Sequence, residues 1–395
     1  MIKILCVDDE LDMELLITQK FRKQIRSNEY EFIFANHGLD ALKKIAEHQE
    51  IKLILSDINM PEMDGLTFLS KLKENKMSDL KTIMVSAYGD MENIRTAMNR
   101  GAFDFITKPI NFEDLEITIK KTLEEIDQYQ KFQHDRDKLT SIQKDLAIAY
   151  EIQQSMLPKK EDPYPERHEF ELHGLLQPAK SVGGDLYDYI LISDNRLFFL
   201  IGDVSDKGVP AALFMAITRT LFKTHFIDNP DADITKQIIK INNMLSKDNP
   251  SLMFVTVFAC ILDLKTGIVE YVDCGHEQPL IVRNGTNEIE VLKKKDGGLP
   301  ICLMEDFPYH SSSFKLNPGD TFILYTDGLE DAQNTDEKRF TIEPTISLIK
   351  SSLMKESPSK INTALLQHVN KYIGEANQFD DITLLTLKYN GMHVK

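Results

Sequence analysis

Short apolar runs alternate with amphipathic stretches over residues 1–122. Runs such as Ile2–Val7 and Lys52–Leu55 have the length of buried strands, whereas Gly38–Glu47 and Met91–Arg100 repeat their apolar residues with helical spacing. Five strand–helix repeats of this kind predict a parallel, doubly wound sheet with helices on both faces. We therefore expect residues 1–122 to form an α/β domain.

Residues 159–395 have a different pattern, in which strand-like runs dominate. The runs with strand length are Phe170–Leu176, Tyr187–Ile192, Leu197–Val204, Met253–Asp263, Ile268–Cys274, Leu280–Arg283, Ser311–Lys315, Thr321–Thr326 and Thr383–Tyr389. The stretches with helical periodicity are Val209–Phe226, Ile234–Lys247, Ile342–Leu353 and Ile361–Ile373. Many antiparallel-looking strands with grouped helices predict an α+β sandwich.

The segment 111–158 between these regions lacks glycine, is rich in charge and predicts one continuous helical linker that ends at Pro158. Its apolar residues recur mostly three or four apart, at Leu115, Ile119, Leu123, Ile126, Phe132, Leu139, Ile142, Leu146, Ala149 and Met156. A period near 3.5 favours a coiled coil, and a surface helix packed on its own domain is the alternative.

The apolar stripe of this linker slips in register near its middle. The stripe through Leu123 and Ile126 would continue to the polar Gln130, whereas the later stripe restarts at Phe132. Such a slip locally changes the winding of a coiled coil. Our hypothesis is that the linker joins a homodimer and transmits a signal across this break.

Composition narrows the class of protein. A formal net charge of −16 argues against nucleic acid as the main ligand, because phosphate backbones select basic surfaces. The start of the chain lacks the features of a signal peptide, and no run of about 18 apolar residues predicts a membrane span, so we expect a cytoplasmic protein. The cysteines, Cys6, Cys260, Cys274 and Cys302, have no C-x-x-C spacing and predict neither a zinc site nor a disulfide framework.

Polar residues mark the strand ends of the first domain. Asp8 and Asp9 end the first strand, Asp57 the third and Ser86 the fourth, and Lys108 follows the fifth. Because functional residues of such sheets collect where strands end, these side chains are expected to meet. Three carboxylates brought together repel one another unless a cation lies among them, and an all-oxygen site suits Mg²⁺.

The stretches ILCVDDE, LILSDINMPEMDG, MVSA and ITKP resemble the receiver domain of bacterial two-component response regulators across residues 1–122. The resemblance implies Asp57 as phosphoacceptor, phosphorylated by a sensor histidine kinase. It also implies roles at six further residues: Asp8, Asp9 and the carbonyl of Asn59 for Mg²⁺, Ser86 and Lys108 for the phosphoryl group, and Phe105 as aromatic switch. Lys108-Pro109 is where the family carries a cis peptide.

The second domain has acidic residues in four turns, mostly beside glycine: SVGGDLYD, IGDVSDKG, YTDGLED and FDDITLL. Glycine at a strand end lets the backbone turn sharply and approach a ligand closely. Four acidic turns that converge could hold two divalent cations, an arrangement used for phosphoester hydrolysis. The alternative for each turn alone is a simple hairpin connection.

These turns, with EIQQSMLP, CGHEQPLIV and GGLPICL, resemble the metal-dependent PPM serine/threonine phosphatases, in the bacterial branch that regulates sporulation and stress sigma factors. The resemblance implies two Mn²⁺ or Mg²⁺ ions and a water nucleophile. The implied metal ligands are Asp185, Asp203, Asp327, Asp380 or Asp381, and the carbonyl of Val204. Spacing does not decide between Asp380 and Asp381, and we favour Asp380.

Two further residue types bear on the second site. His276 could be a general acid, but its neighbours Gly275 and Pro279 favour a turn beside the site. No arginine near the start of the domain stands out as a phosphate ligand, and the nearest cations are Lys180 and Lys207.

The favoured function is a response regulator whose output is a protein serine/threonine phosphatase. Resemblance suggests a phosphorylated anti-sigma-factor antagonist of the STAS type as substrate. The alternative is a non-catalytic adaptor that binds a partner through a phosphatase-like domain, since fold does not fix function. A DNA-binding regulator fits poorly, because the acidic chain shows no helix-turn-helix pattern within a basic region.

Overall fold

The computed structural model describes residues 1–75, 77, 80–87, 90–158, 164–247, 249–293 and 298–392. The chain divides into two compact units, Met1–Ser141 and Ile142–Lys395. The charged segment 159–163, with which the predicted second domain begins, lies outside the described residues, as do 294–297, which include the first glycine of GGLPICL.

The first unit contains a parallel five-stranded sheet with the strand order β2-β1-β3-β4-β5. Its strands are β1 (Ile2–Val7), β2 (Tyr30–Ala35), β3 (Ile51–Asp57), β4 (Lys81–Ala87) and β5 (Asp104–Lys108). Its helices are α1 (Leu11–Lys20), α2 (Arg22–Arg26), α3 (Gly38–Glu47), α4 (Gly65–Glu74), α5 (Met91–Arg100) and the start of the long α6 (Phe112–Met156). The predicted doubly wound fold is confirmed, with a flavodoxin-like strand order.

The first helical stretch of this unit differs from its prediction. The pattern from Met13 to Ile25 predicts one helix, but the structure breaks it at Phe21 into α1 and α2. The Phe21 ring is fully buried in the core and lies 5.2 Å from the ring of Phe32 in β2. The helix is thus interrupted at the residue whose large side chain is buried in the core.

The predicted linker, 111–158, forms one helix over Phe112–Met156, which begins in the first unit and ends in the second. Apolar residues of its N-terminal part belong to the core of the first unit: Leu115, Ile119, Leu123 and Ile126. Farther along, Phe132, Leu139 and Ile142 are exposed, with 65%, 60% and 49% of their surface accessible. The early stripe is therefore part of a domain core and not of an intermolecular seam, and the predicted register break lies just beyond its last buried residue.

The second unit contains two antiparallel five-stranded sheets with the orders β13-β10-β9-β8-β7 and β12-β11-β14-β15-β6. The strands are β6 (Phe170–Gln177), β7 (Leu186–Ser193), β8 (Arg196–Val204), β9 (Val255–Asp263), β10 (Ile268–Cys274), β11 (Leu280–Val282), β12 (Ile289–Val291), β13 (Ser312–Lys315), β14 (Thr321–Tyr325) and β15 (Ile382–Tyr389). The helices are α7 (Val209–Asp228), α8 (Ile234–Lys247), α9 (Glu343–Leu348), which continues as a π-helix over Ile349–Leu353, and α10 (Pro358–Ile373).

Three apolar clusters hold this unit together. One lies between the two sheets, the second packs α7 and α8 on the β8 side, and the third packs α10 on the β14 side. In the second cluster Phe198 of β8 stacks on Phe226 of α7 with ring centroids 3.8 Å apart. The predicted α+β sandwich is confirmed, and the strand missed by the prediction, β12, is short and largely exposed.

Among the described residues, we find no helix with the length and apolarity needed to cross a lipid bilayer. The four cysteines are free thiols, and burial raises the pKa of Cys302 to about 11. Burial raises the pKa of the other three as well, so the thiols are protonated at neutral pH.

Candidate functional site

Three carboxylates converge where the parallel sheet ends. Asp8 and Asp9 directly follow β1, and Asp57 is the last residue of β3. One oxygen of each lies within 4.8 Å of the others. Lys108, the last residue of β5, places its Nζ 2.6 Å from Asp57 Oδ2 and 3.1 Å from Asp8 Oδ2. The structure thus brings together Asp8, Asp9, Asp57 and Lys108, four of the five residues that the strand-end argument expects to meet.

The charges of this first cluster are unbalanced. Burial raises the pKa of Asp8, although the Lys108 ammonium acts against this shift. Burial also opposes the charge of Lys108, but hydrogen bonds to Asp57 and Asp8 outweigh it and raise the pKa of Lys108. A lysine and three acidic residues with oxygens this close fit a small divalent cation such as Mg²⁺.

Of the other residues predicted for the first site, Asn59 contacts this cluster. The N–H of Asn59 donates to Asp57 Oδ1 at 3.3 Å, and the buried Ser86 donates its hydroxyl to Asp90 at 3.4 Å. The Phe105 side chain is partly exposed on β5, and the Lys108-Pro109 bond is cis. Their roles in phosphoryl transfer stay predictions.

A second set of carboxylates lies where strands of both sheets of the sandwich meet. Asp185 directly precedes β7, and Asp203 is near the end of the neighbouring β8. Asp327 follows β14 by two residues, and Asp380 and Asp381 directly precede the neighbouring β15. Each sheet therefore contributes acidic residues from one pair of adjacent strands.

Asp185 is buried and held by two threonine hydroxyls. Thr326 Oγ1 donates to Asp185 Oδ2 at 2.7 Å, and Thr383 Oγ1 donates to the same oxygen at 2.5 Å. The sequence prediction missed both threonines. Their signal was a threonine directly before Asp327 and another two residues after Asp381, each in or beside a buried strand of the second sheet.

The carboxylates of this second cluster repel one another. Burial, followed by repulsion from Asp327, raises the pKa of Asp203 to about 7. Burial, followed by repulsion from Asp380, raises the pKa of Asp327 to about 6, and Lys207 acts in the opposite direction. Burial and then the charge of Asp203 raise the pKa of Asp185 as well. Cations among these groups would remove the repulsion.

Asp380 and Asp381 have different surroundings. Both carboxylate oxygens of Asp381 accept main-chain N–H groups at 2.7 Å, from Ala179 and Gly184. Asp380 instead directs Oδ2 towards Lys207 and raises the pKa of Asp327. Asp381 therefore fixes the loop before Asp185, which supports Asp380 as the metal ligand of the pair.

Glycine is required where the turns of the second cluster touch. A Cβ added to Gly328 would lie 1.9 Å from the main-chain oxygen of Asp381, and one added to Gly183 would lie 2.2 Å from Asp381 Oδ2. The main chain of Asp381 leaves no space for a side chain at Gly328, and the carboxylate of Asp381 leaves none at Gly183. The glycines of YTDGLED and SVGGDLYD thus serve close packing around Asp381.

Two further residues named by the sequence analysis, Val204 and His276, lie beside the second cluster. The carbonyl of the buried Val204 would be 2.9 Å from a Cβ added to Gly184. The ring of the buried His276 lies between Thr256 Oγ1, 2.9 Å from Nδ1, and the Tyr325 carbonyl oxygen, 3.1 Å from Nε2. A histidine with both ring nitrogens engaged in this way fits the predicted role in a turn rather than that of a general acid.

The C-terminal part of α6 contacts the loop that carries Asp185. The buried Gln153 donates from Nε2 to the Gly183 carbonyl at 2.7 Å and accepts the Gly183 N–H at Oε1, 3.1 Å away. Its amide satisfies both main-chain groups of the residue two positions before Asp185.

The second cluster fits two divalent cations. Its donors are carboxylates, which suit Mg²⁺ and Mn²⁺, and their raised pKa values reflect negative charge that burial leaves uncompensated. Among the described residues, no three of these carboxylates approach within the 4.8 Å found in the first cluster.

The fold and the two carboxylate clusters define a response-regulator receiver domain followed by a metal-dependent phosphatase domain of the PPM class. Comparison with known families agrees: residues 4–120 match the response regulator receiver domain, and residues 193–390 match stage II sporulation protein E, SpoIIE. The chain belongs to this SpoIIE phosphatase family and carries a receiver domain at its N-terminal side.

Similar proteins include protein IcfG of Synechocystis sp., 28% identical over 61% of this chain and 40% of its own length. Phosphoserine phosphatase RsbU of Bacillus subtilis is 25% identical over 66% of this chain and 74% of its own length. The SiaA-PP2C domain of Pseudomonas aeruginosa has a similar fold, with a TM-score of 0.54, 21% identity and coverage of 64% of this chain and 98% of that domain.

Proposed function

We propose that this protein is a receiver-controlled, metal-dependent protein serine/threonine phosphatase. The observation that carries the proposal is the meeting of Asp185, Asp203, Asp327 and Asp380 from strand ends of two sheets. An adaptor that only binds a partner has no need to bury mutually repelling carboxylates. The name of the RsbU relative, a phosphoserine phosphatase, supports the same reaction class.

In this proposal Asp185, Asp203, Asp327, Asp380 and the Val204 carbonyl hold two Mn²⁺ or Mg²⁺ ions. When bound, such ions bind phosphoryl oxygens and lower the pKa of water. The chain itself fixes the ligands. Thr326 and Thr383 orient Asp185 through their hydroxyls, and Asp381 holds the loop that precedes it.

The proposed substrate is a phosphorylated STAS-type protein, as the family resemblance suggests. The decisive experiment measures phosphate release from a candidate phosphorylated STAS protein, with and without a phosphate mimic such as beryllofluoride on Asp57. Release that depends on Mn²⁺ and changes with the mimic supports the proposal. No release above an Asp203→Asn control, for any STAS protein encoded by the same genome, would contradict the substrate assignment.

The receiver is proposed to accept a phosphoryl group on Asp57 from a sensor histidine kinase, with Asp8, Asp9 and the Asn59 carbonyl holding Mg²⁺. Ser86 and Lys108 are assigned to the transferred group and Phe105 to the switch. The exposed apolar residues Phe132, Leu139 and Ile142 support the homodimer that we proposed through α6.

Insertion of one alanine after Gln130 is expected to abolish control of the phosphatase by Asp57. One extra residue rotates the following part of a helix by about 100° relative to the preceding part. Each domain should keep its own folding transition, because Gln130 lies beyond the last buried residue of the first stripe. Phosphatase assays with and without beryllofluoride test this, and unchanged regulation would refute the role of helical phase.

Gln153→Ala is expected to lower phosphatase turnover about tenfold, because a buried main-chain group that loses its partner costs about 1–3 kcal/mol. The variant leaves the Gly183 N–H and carbonyl without the Gln153 amide and loosens the loop before Asp185. Gln143→Ala, at an exposed position of the same helix, is the matched control. Wild-type turnover in Gln153→Ala would show that this contact does not position Asp185.

A further inference from the structure

We propose that Lys207 is the residue of the phosphatase domain that binds the phosphoryl group of the substrate. The inference rests on the proposed function and assigns the cation that recognises the substrate. Lys207 lies in the loop between β8 and α7, four residues after Asp203. From the sequence, Lys207 and Lys180 are only the nearest cations, and neither is assigned to the phosphoryl group.

The backbone directs Lys207 back towards the carboxylates. Asp206 and Gly208, on either side of it, both have left-handed backbone conformations, with φ of 69° and 87°. Lys207 Nζ lies 2.7 Å from Asp380 Oδ2, donates to the Phe379 carbonyl at 2.7 Å and lies 4.7 Å from the centre of the Phe379 ring. Three contacts therefore hold the ammonium beside the second cluster.

Lys207 differs from the other lysines and arginines in its ion-pair partner, Asp380. Among the ion pairs of the described residues, it is the only lysine or arginine paired with an acidic residue of the second cluster. The exposed Lys180 instead lines a groove beside the C-terminal part of α6, together with Gln143 and Glu151. The structure therefore places Lys207, and not Lys180, in contact with the second cluster.

The charge of the site explains why a cation is needed there. The cluster contains five aspartates, Asp185, Asp203, Asp327, Asp380 and Asp381. Two divalent cations would leave one of these negative charges uncompensated, and the Lys207 ammonium supplies the missing positive charge. Without it, a phosphomonoester dianion would approach a site with residual negative charge.

The ammonium of Lys207 also has the capacity for another partner. A lysine has three donors, and Lys207 directs contacts to two oxygens, those of Asp380 and Phe379. About a third of its side chain is accessible, so a phosphoryl oxygen can reach it from solvent. A charge-assisted hydrogen bond from this group would orient the phosphoryl group over the carboxylates.

The test uses the full-length protein with Mn²⁺ and three variants. Lys207→Gln removes the charge, Lys207→Arg retains it, and Lys180→Gln is the control in the loop before Asp185. Calorimetry measures binding of Mn²⁺ and then of inorganic phosphate to the metal-loaded protein. Steady-state kinetics with a phosphoserine peptide measures KM and kcat.

Lys207→Gln is expected to weaken phosphate binding and raise KM by about tenfold or more, the size of one charge-assisted hydrogen bond. Its Mn²⁺ affinity should not fall, Lys207→Arg should recover most of the loss, and Lys180→Gln should resemble the wild type. Unchanged phosphate affinity in Lys207→Gln would overturn the proposal. So would a matching loss of Mn²⁺ affinity, because Lys207 would then only maintain the metal ligands.

The phosphate titration separates this inference from the proposed function. Suppose that the wild type hydrolyses no phosphoserine substrate, but that Lys207→Gln binds phosphate more weakly than the wild type. The catalytic proposal then fails and the assignment of Lys207 stands. If the wild type hydrolyses the substrate and Lys207→Gln binds phosphate as tightly as the wild type, the catalytic proposal stands and the assignment of Lys207 fails.

Discussion

Asp203→Asn is expected to reduce Mn²⁺-dependent hydrolysis of p-nitrophenyl phosphate by about a thousandfold or more, because charge stabilisation by bound cations is the main source of rate in this reaction class. Asp203 is in β8, and besides burial its pKa responds to Asp327 and Asp380 of the other sheet and to Asp185 of its own. Loss of this carboxylate removes one of the proposed metal ligands. The same assay separates the enzyme from the non-catalytic adaptor.

The matched control is Asp206→Asn, in the loop that directly follows β8. Asp206 is exposed, and its left-handed backbone conformation also suits asparagine. This variant should keep wild-type hydrolysis. Equal, metal-independent rates in the wild type and Asp203→Asn would defeat the enzyme proposal and favour the adaptor.

Thermal unfolding provides a second measurement on the same proteins. Asp203→Asn removes a partly buried carboxylate that its neighbours repel, so without added metal the variant should be at least as stable as the wild type. Mn²⁺ should raise the melting temperature of the wild type, because a ligand that binds only the folded state stabilises it. The variant should show a smaller increase, which would assign its loss of activity to metal binding and not to misfolding.

Asp57→Asn is expected to abolish the uptake of a phosphoryl group from acetyl phosphate. Asp57 is the buried carboxylate that Lys108 contacts at 2.6 Å, and its oxygen lies within 4.8 Å of oxygens of Asp8 and Asp9. An amide in its place has no carboxylate oxygen to attack phosphorus. Labelled acetyl phosphate should label the wild-type protein but not the variant. The phosphatase activity of the variant should no longer respond to the phosphodonor.

Asp12→Asn, on the exposed part of α1, serves as the control for this experiment and should accept phosphate at the wild-type level. Continued labelling of Asp57→Asn would contradict its assignment as phosphoacceptor. Loss of labelling in both variants would instead indicate that the control disturbs the receiver.

Local patterns were sufficient for much of the fold and for the acidic residues of both sites. A buried strand requires a run of apolar residues, and a site at strand ends requires polar residues directly after such runs. Short segments of sequence are therefore enough to predict both features. Asp57 at the end of β3 and Asp203 near the end of β8 are examples. The strand β12 could not be predicted, because three mostly exposed residues carry no periodic signal.

The partners of these segments depend on contacts between distant parts of the chain. An apolar stripe on α6 has the same period whether it packs on a domain core or on another helix, and only the structure shows that Ile119 and Leu123 belong to the first core. Asp380 and Asp381 are equivalent in sequence, but main-chain N–H groups from the loop before β7 bind Asp381.

The sequence by itself determined the two domains' fold classes, the helical linker and the acidic residues, because burial and turn formation are governed by neighbouring residues. Tertiary structure alone decided that Thr326 and Thr383 hold Asp185, that Gln153 binds Gly183 and that Lys207 faces the second cluster. The separations in sequence are long for most of these contacts, up to 198 residues for Thr383 and Asp185. Hydrogen bonds and ion pairs depend on distance in space, which no local pattern encodes.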